Sequence, residues 1–369
     1  MLSVRACLAG TILATALLSA CNSRPPVLPA VGVAYPPWAG GFVQVAESSL
    51  RERWGDTAHL PQFVLDTDKA PERVERTVEW TQVLLHTPGV SVIVGPSTSN
   101  ASLAVAPFIN AAAIPEIIPN ATSRRLDQAG PWVFRLVEND SIEGAFLVRQ
   151  ILARPRLRRA LVLYTNDEYG QGLRSGIHDE LFRAGLAPTA ELPVGRDSDF
   201  ELLFRNELKQ RRPDVIVCAV RNPEIARAAA ALLRLGSRIP VFVGDGAFGP
   251  AALRNAVGPV PFEIFGVAFW LRAEADSAGR AYIADYHRLR HEWPRGEDAL
   301  IHDALTLAAV ASRESGGDPH RMRLWLLSLG VTRPPFDGVA GPIDFRPDHP
   351  RPFRLGRYVA DSAVDAEIR

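Results

Sequence analysis

Short runs of apolar, largely β-branched residues recur along this chain, separated by longer amphipathic stretches, and that alternation limits the fold more than any other feature. The runs are AVGVAY (30–35), QFVLD (62–66), VSVIVG (90–95), IPEIIP (114–119), ALVLYT (160–165), DVIVCAV (214–220), PVFVGD (240–245) and EIFGVAF (263–269). Most are apolar at every position rather than at every second one, the pattern of strands covered on both faces of a parallel sheet. Helical spacing marks 71–86, 99–112, 140–153, 171–184, 200–211, 223–235, 277–292 and 299–314. Strand and helix alternating at this spacing make doubly wound α/β layers. With 369 residues the chain is long enough for more than one core. Two such sets are expected, divided near Glu138–Ser141, where WVFRLVENDS turns from strand to helix. Two long helices follow 264–272 with no strong strand between them, so they need a sheet face to cover, and the first half has one to offer. The tail from Phe336 reads as a hairpin with little helix.

Composition excludes some partners. Basic and acidic residues balance at 41 each, which argues against a nucleic-acid binder, since that task usually requires a basic excess on one face. The opening MLSVRACLAGTILATALLSAC has one Arg5 and then an apolar stretch too short for a bilayer span of ~20 residues, so it reads as an export signal. Its end, Leu18-Ser19-Ala20-Cys21, resembles the lipobox of bacterial lipoproteins, which implies an acylated Cys21 and a short proline-rich tether over 22–29. With Cys7 in the signal and Cys21 lipidated, only Cys218 remains, and its apolar strand makes it a buried, inert thiol.

Ligands of open α/β sheets bind beyond the carboxyl ends of the strands, so the turns there are the places to search. VIVGPSTSNASLAVAPF (92–108) runs from strand through three hydroxyl side chains into a helix. It lacks the Gly-Lys-Ser/Thr of a P-loop, and Ser99 stands where a G-x-S-x-G elbow needs its second Gly. What remains is a helix N-terminus with hydroxyls, suited to an anion such as a carboxylate, or a turn in which Ser99 only caps the helix. VFVGDGAFGP contains a literal G-x-G-x-x-G (Gly244, Gly246, Gly249), but Asp245 inside it would repel a pyrophosphate and Pro250 follows at once. A carboxylate at a strand end suits an ammonium group better. His287 and His291 lie one turn apart without a zincin Glu, which favours a solvated helix face over a metal site. No metal and no cofactor are expected, and no Ser/His/Asp set can be assembled from spacing alone.

These turns, in order, match a family. VIVGPSTSNASLAVAPFINAAAIPEIIPNATS, WVFRLVENDSIEGAFLVRQIL, RALVLYTNDEYGQGLRSGIHDELFRAG, DFELLFRNELKQRRPDVIVCAV, LGSRIPVFVGDGAF and FDGVAGPIDF resemble the type I periplasmic binding proteins, and within them the leucine/isoleucine/valine-binding receptors of ABC transporters. The resemblance implies two doubly wound parallel-sheet lobes joined by a three-crossing hinge, here 30–138 plus 268–333 and 139–267 plus 334–369, after a signal over 1–21. It also implies a ligand between the lobes. Ser99 and Thr122, with the backbone of Asn120, Ala121 and Thr122, match positions that hold an amino acid's α-carboxylate, while Tyr169 and Asp245 match those that hold the α-ammonium. Two departures stand out. The first strand's turn, Tyr35-Pro36-Pro37-Trp38-Ala39-Gly40-Gly41, offers Trp38 as a wall, and Arg221 with Asn222 follows the VCAV strand where relatives often carry an aromatic residue. Arg221 would meet a ligand carboxylate, or else turn outward or pair with Glu224.

The implied protein is a lipid-anchored, periplasmic or cell-surface receptor, not an enzyme, that delivers an amino acid or similar small molecule to an ABC permease. An envelope sensor or regulatory lipoprotein built on the same fold is the alternative, and a hydrolase trails both. Replacing Cys21 by Ala is expected to move the protein from the membrane to the soluble envelope fraction or to leave the precursor uncleaved, read by fractionation. A wild-type protein that is already soluble would overturn the anchor.

Overall fold

The computed structural model of the chain describes residues 29–55, 59–68, 73–247, 258–349 and 351–358. The expected signal, Cys21, most of the tether and Gly249 lie outside the described residues.

Two sheets carry the fold. The first consists of β1 (Ala30–Val33), β2 (Gln62–Leu65), β3 (Val90–Val94), β4 (Glu116–Ile118) and β5 (Val133–Arg135), all parallel, in the order β2-β1-β3-β4-β5. The second contains β6 (Ala160–Thr165), β7 (Ala190–Val194), β8 (Val215–Ala219), β9 (Val241–Val243), β10 (Ile264–Ala268) and β13 (Arg354–Arg357), in the order β13-β10-β9-β8-β6-β7. Only β13 runs antiparallel to its neighbour. A separate hairpin pairs β11 (Phe336–Gly338) with β12 (Gly341–Ile343).

The all-apolar strands are two-faced, as parallel strands must be. Along β3, Val92 and Val94 enter one core with Val31 and Val33, whereas Val90 and Ile93 enter another with Ala30. In the second sheet Leu161, Leu163, Ile216 and Cys218 point to one side, and Ala160, Val162, Val215 and Val217 to the other. Cys218 is fully buried, and burial pushes its thiol up to about 12, so it has no nucleophilic role at neutral pH.

Helices fill the four faces. Beside the first sheet lie α1 (Gly40–Trp54), α2 (Val74–His86) and α3 (Ser99–Ala112). The second sheet is flanked by α4 (Asp140–Leu152), α5 (Glu168–Arg183), α6 (Phe200–Arg211) and α7 (Asn222–Arg234). The two long helices expected after the second crossing are α8 (Ser277–Arg290) and α9 (Gly296–Ser315), and Ala304, Leu305 and Ala308 of α9 pack with Val31 and Val92, on the face that needed cover. Among the described residues four α-helices and strands lie outside the expected set, β13 at the sheet edge being one. α1 buries Phe42, Val43, Val45, Ala46 and Leu50, but Gly40 and Gly41 at its start resemble a turn. β7 contains Pro193 and little apolar surface, tolerable because it is an edge strand. α10 (Pro319–Ser328) buries only Met322 and Leu326.

The chain passes between the sheets after β5, after β10 and after β12. Val137, Phe269 and Leu300 form one small buried cluster, with Ala340 and Phe353 against it, so side chains from all three passages meet there. The hairpin contributes Phe336 and Ile343 to the first sheet's core, and Asp303 of α9 accepts hydrogen bonds from Val339 N (2.7 Å) and Ala340 N (3.0 Å). The third passage therefore falls after Ile343, not at the 334 boundary expected from sequence, because the hairpin's apolar side chains have their partners on α9 and α10. Arg351 ties the passages together: its N–H donates to Glu138 Oε1 (2.9 Å), Nη1 to Leu136 O (3.0 Å) and Nη2 to Gly341 O (3.0 Å). Arg351→Met keeps the stem and leaves two carbonyls unpaired. It is expected to lower stability by about 2–6 kcal/mol in urea denaturation, at ~1–3 kcal/mol per unsatisfied group. A loss below about 0.5 kcal/mol would show that water replaces the guanidinium.

Candidate functional site

The carboxyl ends of both sheets open onto a single cavity of about 180 Å³ between them. Each wall comes from the residues that leave a strand. Ser97, Thr98 and Ser99 follow β3, while Asn120, Ala121 and Thr122 follow β4. On the other side Tyr169 begins α5 after β6, Arg221 and Asn222 follow β8, and Asp245 and Gly246 follow β9. Val267 to Trp270, at the end of β10, make the back wall, and Arg295, Gly296, Glu297 and Leu300 at the start of α9 complete it.

The structure thus brings together Ser99, Asn120, Ala121, Thr122, Tyr169, Arg221 and Asp245. It leaves out Trp38, whose ring is 47% exposed and sits edge-on to Tyr35 (5.5 Å) and Phe42 (5.6 Å) rather than lining the cavity. Tyr35 is fully buried there, and its hydroxyl reaches Asn120 Oδ1 at 3.3 Å. Ser99 is not the helix cap. That role falls to Thr98, whose hydroxyl accepts from Ala101 N (3.3 Å), while Ser99 Oγ accepts from Ser123 N (3.2 Å) and binds the β3 turn to the β4 turn. Thr122 Oγ1 is buried with no well-formed hydrogen bond among the described residues.

On the facing wall, Tyr169 Oη accepts from Gly246 N (3.0 Å), and Asp245 N donates to Glu143 Oε1 (2.9 Å). The glycines of the literal G-x-G motif serve this packing. A Cβ on Gly244 would fall 2.5 Å from the Tyr169 hydroxyl and one on Gly246 would fall 2.9 Å from its ring. Arg221 lines the cavity but pairs with Asp167 and not with Glu224. Its Nε (3.2 Å) and Nη2 (3.0 Å) donate to Asp167 Oδ2, and the guanidinium lies 4.8 Å from the centre of the Tyr169 ring. Partial burial works to raise Asp167, but the Arg221 charge, the Gly170 N–H and the Thr165 hydroxyl outweigh it and hold the carboxyl below its usual range. Outside the cavity lining, Glu168 at the start of α5 accepts from Ser123 Oγ (2.7 Å) and Arg125 Nη1 (3.0 Å), and its N–H donates to Asn100 Oδ1 (3.1 Å).

Comparison with known proteins agrees with this architecture. A family model described as periplasmic binding protein matches residues 66–358. This chain belongs to the periplasmic binding protein family. An amino acid binding protein of Pseudomonas aeruginosa is 21% identical over 242 residues, 65% of this chain and 64% of the relative. The chain spans less than two thirds of the length of the curated relatives it matches. Among solved structures, a leucine binding protein of Thermotoga maritima superposes with a TM-score of 0.77 at 17% identity, covering 91% of this chain and 96% of that one. A solute binding protein of an ABC transporter from Rhodopseudomonas palustris, in complex with 3,4-dihydroxy benzoic acid, gives 0.75 at 19%, covering 92% and 94%. The fold is the two-lobed type I arrangement.

Several cavity residues of this binding protein escaped the sequence reading. Trp270 and Phe269 carried a usable signal, since they directly follow a strand. Arg295, Gly296 and Glu297 follow no strand, and only the return of α9 to the first sheet brings them in. Asp298 caps the helix start by accepting from Arg295: Arg295 N (2.8 Å) and Nε (3.1 Å) donate to Asp298 Oδ2, and Nη2 (2.8 Å) to Oδ1. Arg295 Nη1 also pairs with Glu297 Oε1 at 2.5 Å.

Acids crowd behind the second wall. Burial drives Glu143 well above the ordinary carboxylate range, and the Asp245 and Asp140 charges add to it. Asp245 is raised too, mainly by burial, with hydrogen bonds from Tyr169 and Glu143 pulling the other way. Asp140, fully buried, donates its N–H to Thr122 O (2.8 Å), and burial pushes its carboxyl up to about 8 against the Thr122 hydroxyl and the Arg135 charge. A carboxyl raised in the folded state holds a proton that the unfolded chain, with a pKa near 3.9, has released, so stability falls as pH rises from about 4 to about 8. Asp140→Asn is therefore expected to flatten that decline by up to about 1.4 kcal/mol per pH unit, read as melting temperature at pH 5 and pH 8. Parallel curves for the variant and the wild type would mean that Asp140 stays charged.

Proposed function

We propose that this chain is the lipid-anchored, extracytoplasmic solute-binding component of an ABC transporter, closing on an amino acid or a similarly small polar metabolite between its lobes. The observation that carries this reading is the opposition of chemistry across the cavity. One wall offers the Thr122 hydroxyl and the first N–H groups of α3, which suit a carboxylate. The other offers the Asp245 carboxylate and the Tyr169 ring, which suit an ammonium. The two relatives above, one described by leucine and one by a benzoic acid, have in common a ligand with a carboxylate.

Ligand contacts to both walls favour the closed arrangement over an open one, which is how binding would become a shape that a permease can read. The three hydrogen bonds at Glu168 support the same closure from outside the cavity. Residues 1–21 would supply export and Cys21 the lipid. A hydrolase finds no support in the site. Ser49 Oγ lies 2.9 Å from His302 Nε2 and His302 Nδ1 3.6 Å from Asp303 Oδ1, but Asp303 holds the β11–β12 turn and none of them lines the cavity.

A thermal-shift screen of amino acids and small carboxylates is expected to find a ligand that raises the melting temperature, and labelled ligand should enter cells only when the protein is present. Ligand binding with unchanged uptake would instead support a sensor. Thr122→Ala should then weaken binding by about 1–3 kcal/mol with little change in unfolding, because its hydroxyl makes no well-formed hydrogen bond within the described residues. Ser99→Ala should weaken binding and also lower the melting temperature, since it strands the Ser123 N–H. Equal calorimetric effects at Thr122, Ser97 and distant serines would reduce these turns to structural caps.

A further inference from the structure

We propose that Glu297 is a specificity-determining residue of this cleft, selecting an amino acid whose side chain ends in a cationic group over a branched aliphatic or an acidic one. The inference rests on the amino-acid reading above and deepens it. It comes from a census of the charges that face the cavity.

Two guanidiniums and two carboxylates line the space: Arg221, Arg295, Asp245 and Glu297. The guanidiniums already have partners. Arg221 is held by Asp167 through Nε and Nη2, and Arg295 engages Asp298 through Nε and Nη2 and Glu297 through Nη1. In net charge, Arg221 with Asp167 is neutral, Arg295 shared between Asp298 and Glu297 leaves one negative charge there, and Asp245 adds a second. Burial raises Glu297, the Arg295 charge opposes that, and the charges of Asp298 and, after it, Asp245 raise Glu297 further, so the two cavity carboxylates lie close enough to interact. An α-ammonium can answer only one of them.

The wall beside Glu297 is apolar. Phe269, Trp270 and Leu300 line the cavity next to it. A ligand with its carboxylate at Thr122 and its α-ammonium at Asp245 would lay its methylenes along these side chains and bring a terminal ammonium to Glu297. Long basic side chains combine an apolar stem and a charged head in just this way. A branched aliphatic side chain would cover Glu297 without answering its charge, and a carboxylate would oppose it.

The test is calorimetry on the purified full-length protein with L-ornithine, L-leucine, L-glutamate and the diamine putrescine as probes. Ornithine is expected to bind at least about tenfold more tightly than leucine or glutamate, the order of one charged hydrogen bond. Glu297→Gln, nearly isosteric, should weaken ornithine by about tenfold and leave leucine within about twofold, and Glu297→Leu should reverse the preference. Leucine binding the wild type as tightly as ornithine, or Glu297→Gln weakening every probe equally, would overturn the assignment while leaving the amino-acid reading intact. Putrescine binding that depends on Glu297, with no α-amino acid bound, would keep Glu297 and overturn the amino-acid reading. Binding of none of the four would overturn both.

Discussion

A parallel sheet has two apolar faces to bury, and the order of the chain leaves one of them uncovered when the first sheet is complete. α2 and α3 close one side of that sheet, while on the other α1 is joined only much later by α8, α9 and α10. The chain must therefore leave for the second sheet and come back. That return creates the passages that meet at Val137, Phe269 and Phe353, and it sets the two sheets with their carboxyl ends toward one shared space. The cavity is a consequence of how the first sheet is covered.

The second consequence is electrostatic. α4 and α5 approach so closely that a Cβ on Gly144 would fall 2.5 Å from the backbone of Gly176. This contact drives the start of α4, with Asp140 and Glu143, under the cavity wall, where water does not reach them. Buried acids whose folded pKa is raised cost stability at neutral pH even while they keep their protons, because the unfolded chain releases them, and such groups concentrate where function needs charge. Here Glu143 lies behind Asp245 and accepts its N–H, and burial, which pushes it well above the ordinary carboxylate range, favours its neutral form beside the Asp245 carboxylate. The wall can then keep one carboxylate toward the cavity without two adjacent anions.

Much of this was legible in the sequence because it depends on local pattern. The apolar runs at 90–94, 116–118, 160–165, 215–219 and 241–243 are strands, and the turns after them supply the cavity residues Ser99, Thr122, Tyr169, Arg221 and Asp245. A strand end is a position that sequence periodicity can locate, and open sheets bind there. Elements at the margins were harder. β7 is a strand because its backbone pairs with β6, not because ELPV is apolar, and α1 hides behind two glycines that resemble a turn.

The sequence by itself determined the α/β class, the division into two sheets and the hydroxyl and carboxylate chemistry at their carboxyl ends, since each follows from residues close together along the chain. Only the tertiary structure decided which charges meet. It gave Arg221 to Asp167 across 54 positions instead of to Glu224, moved Trp38 out of the cavity, kept the 336–343 hairpin with the first sheet and brought Glu297 to the ligand space. These outcomes depend on distances between residues far apart in sequence, which packing fixes and local pattern does not encode.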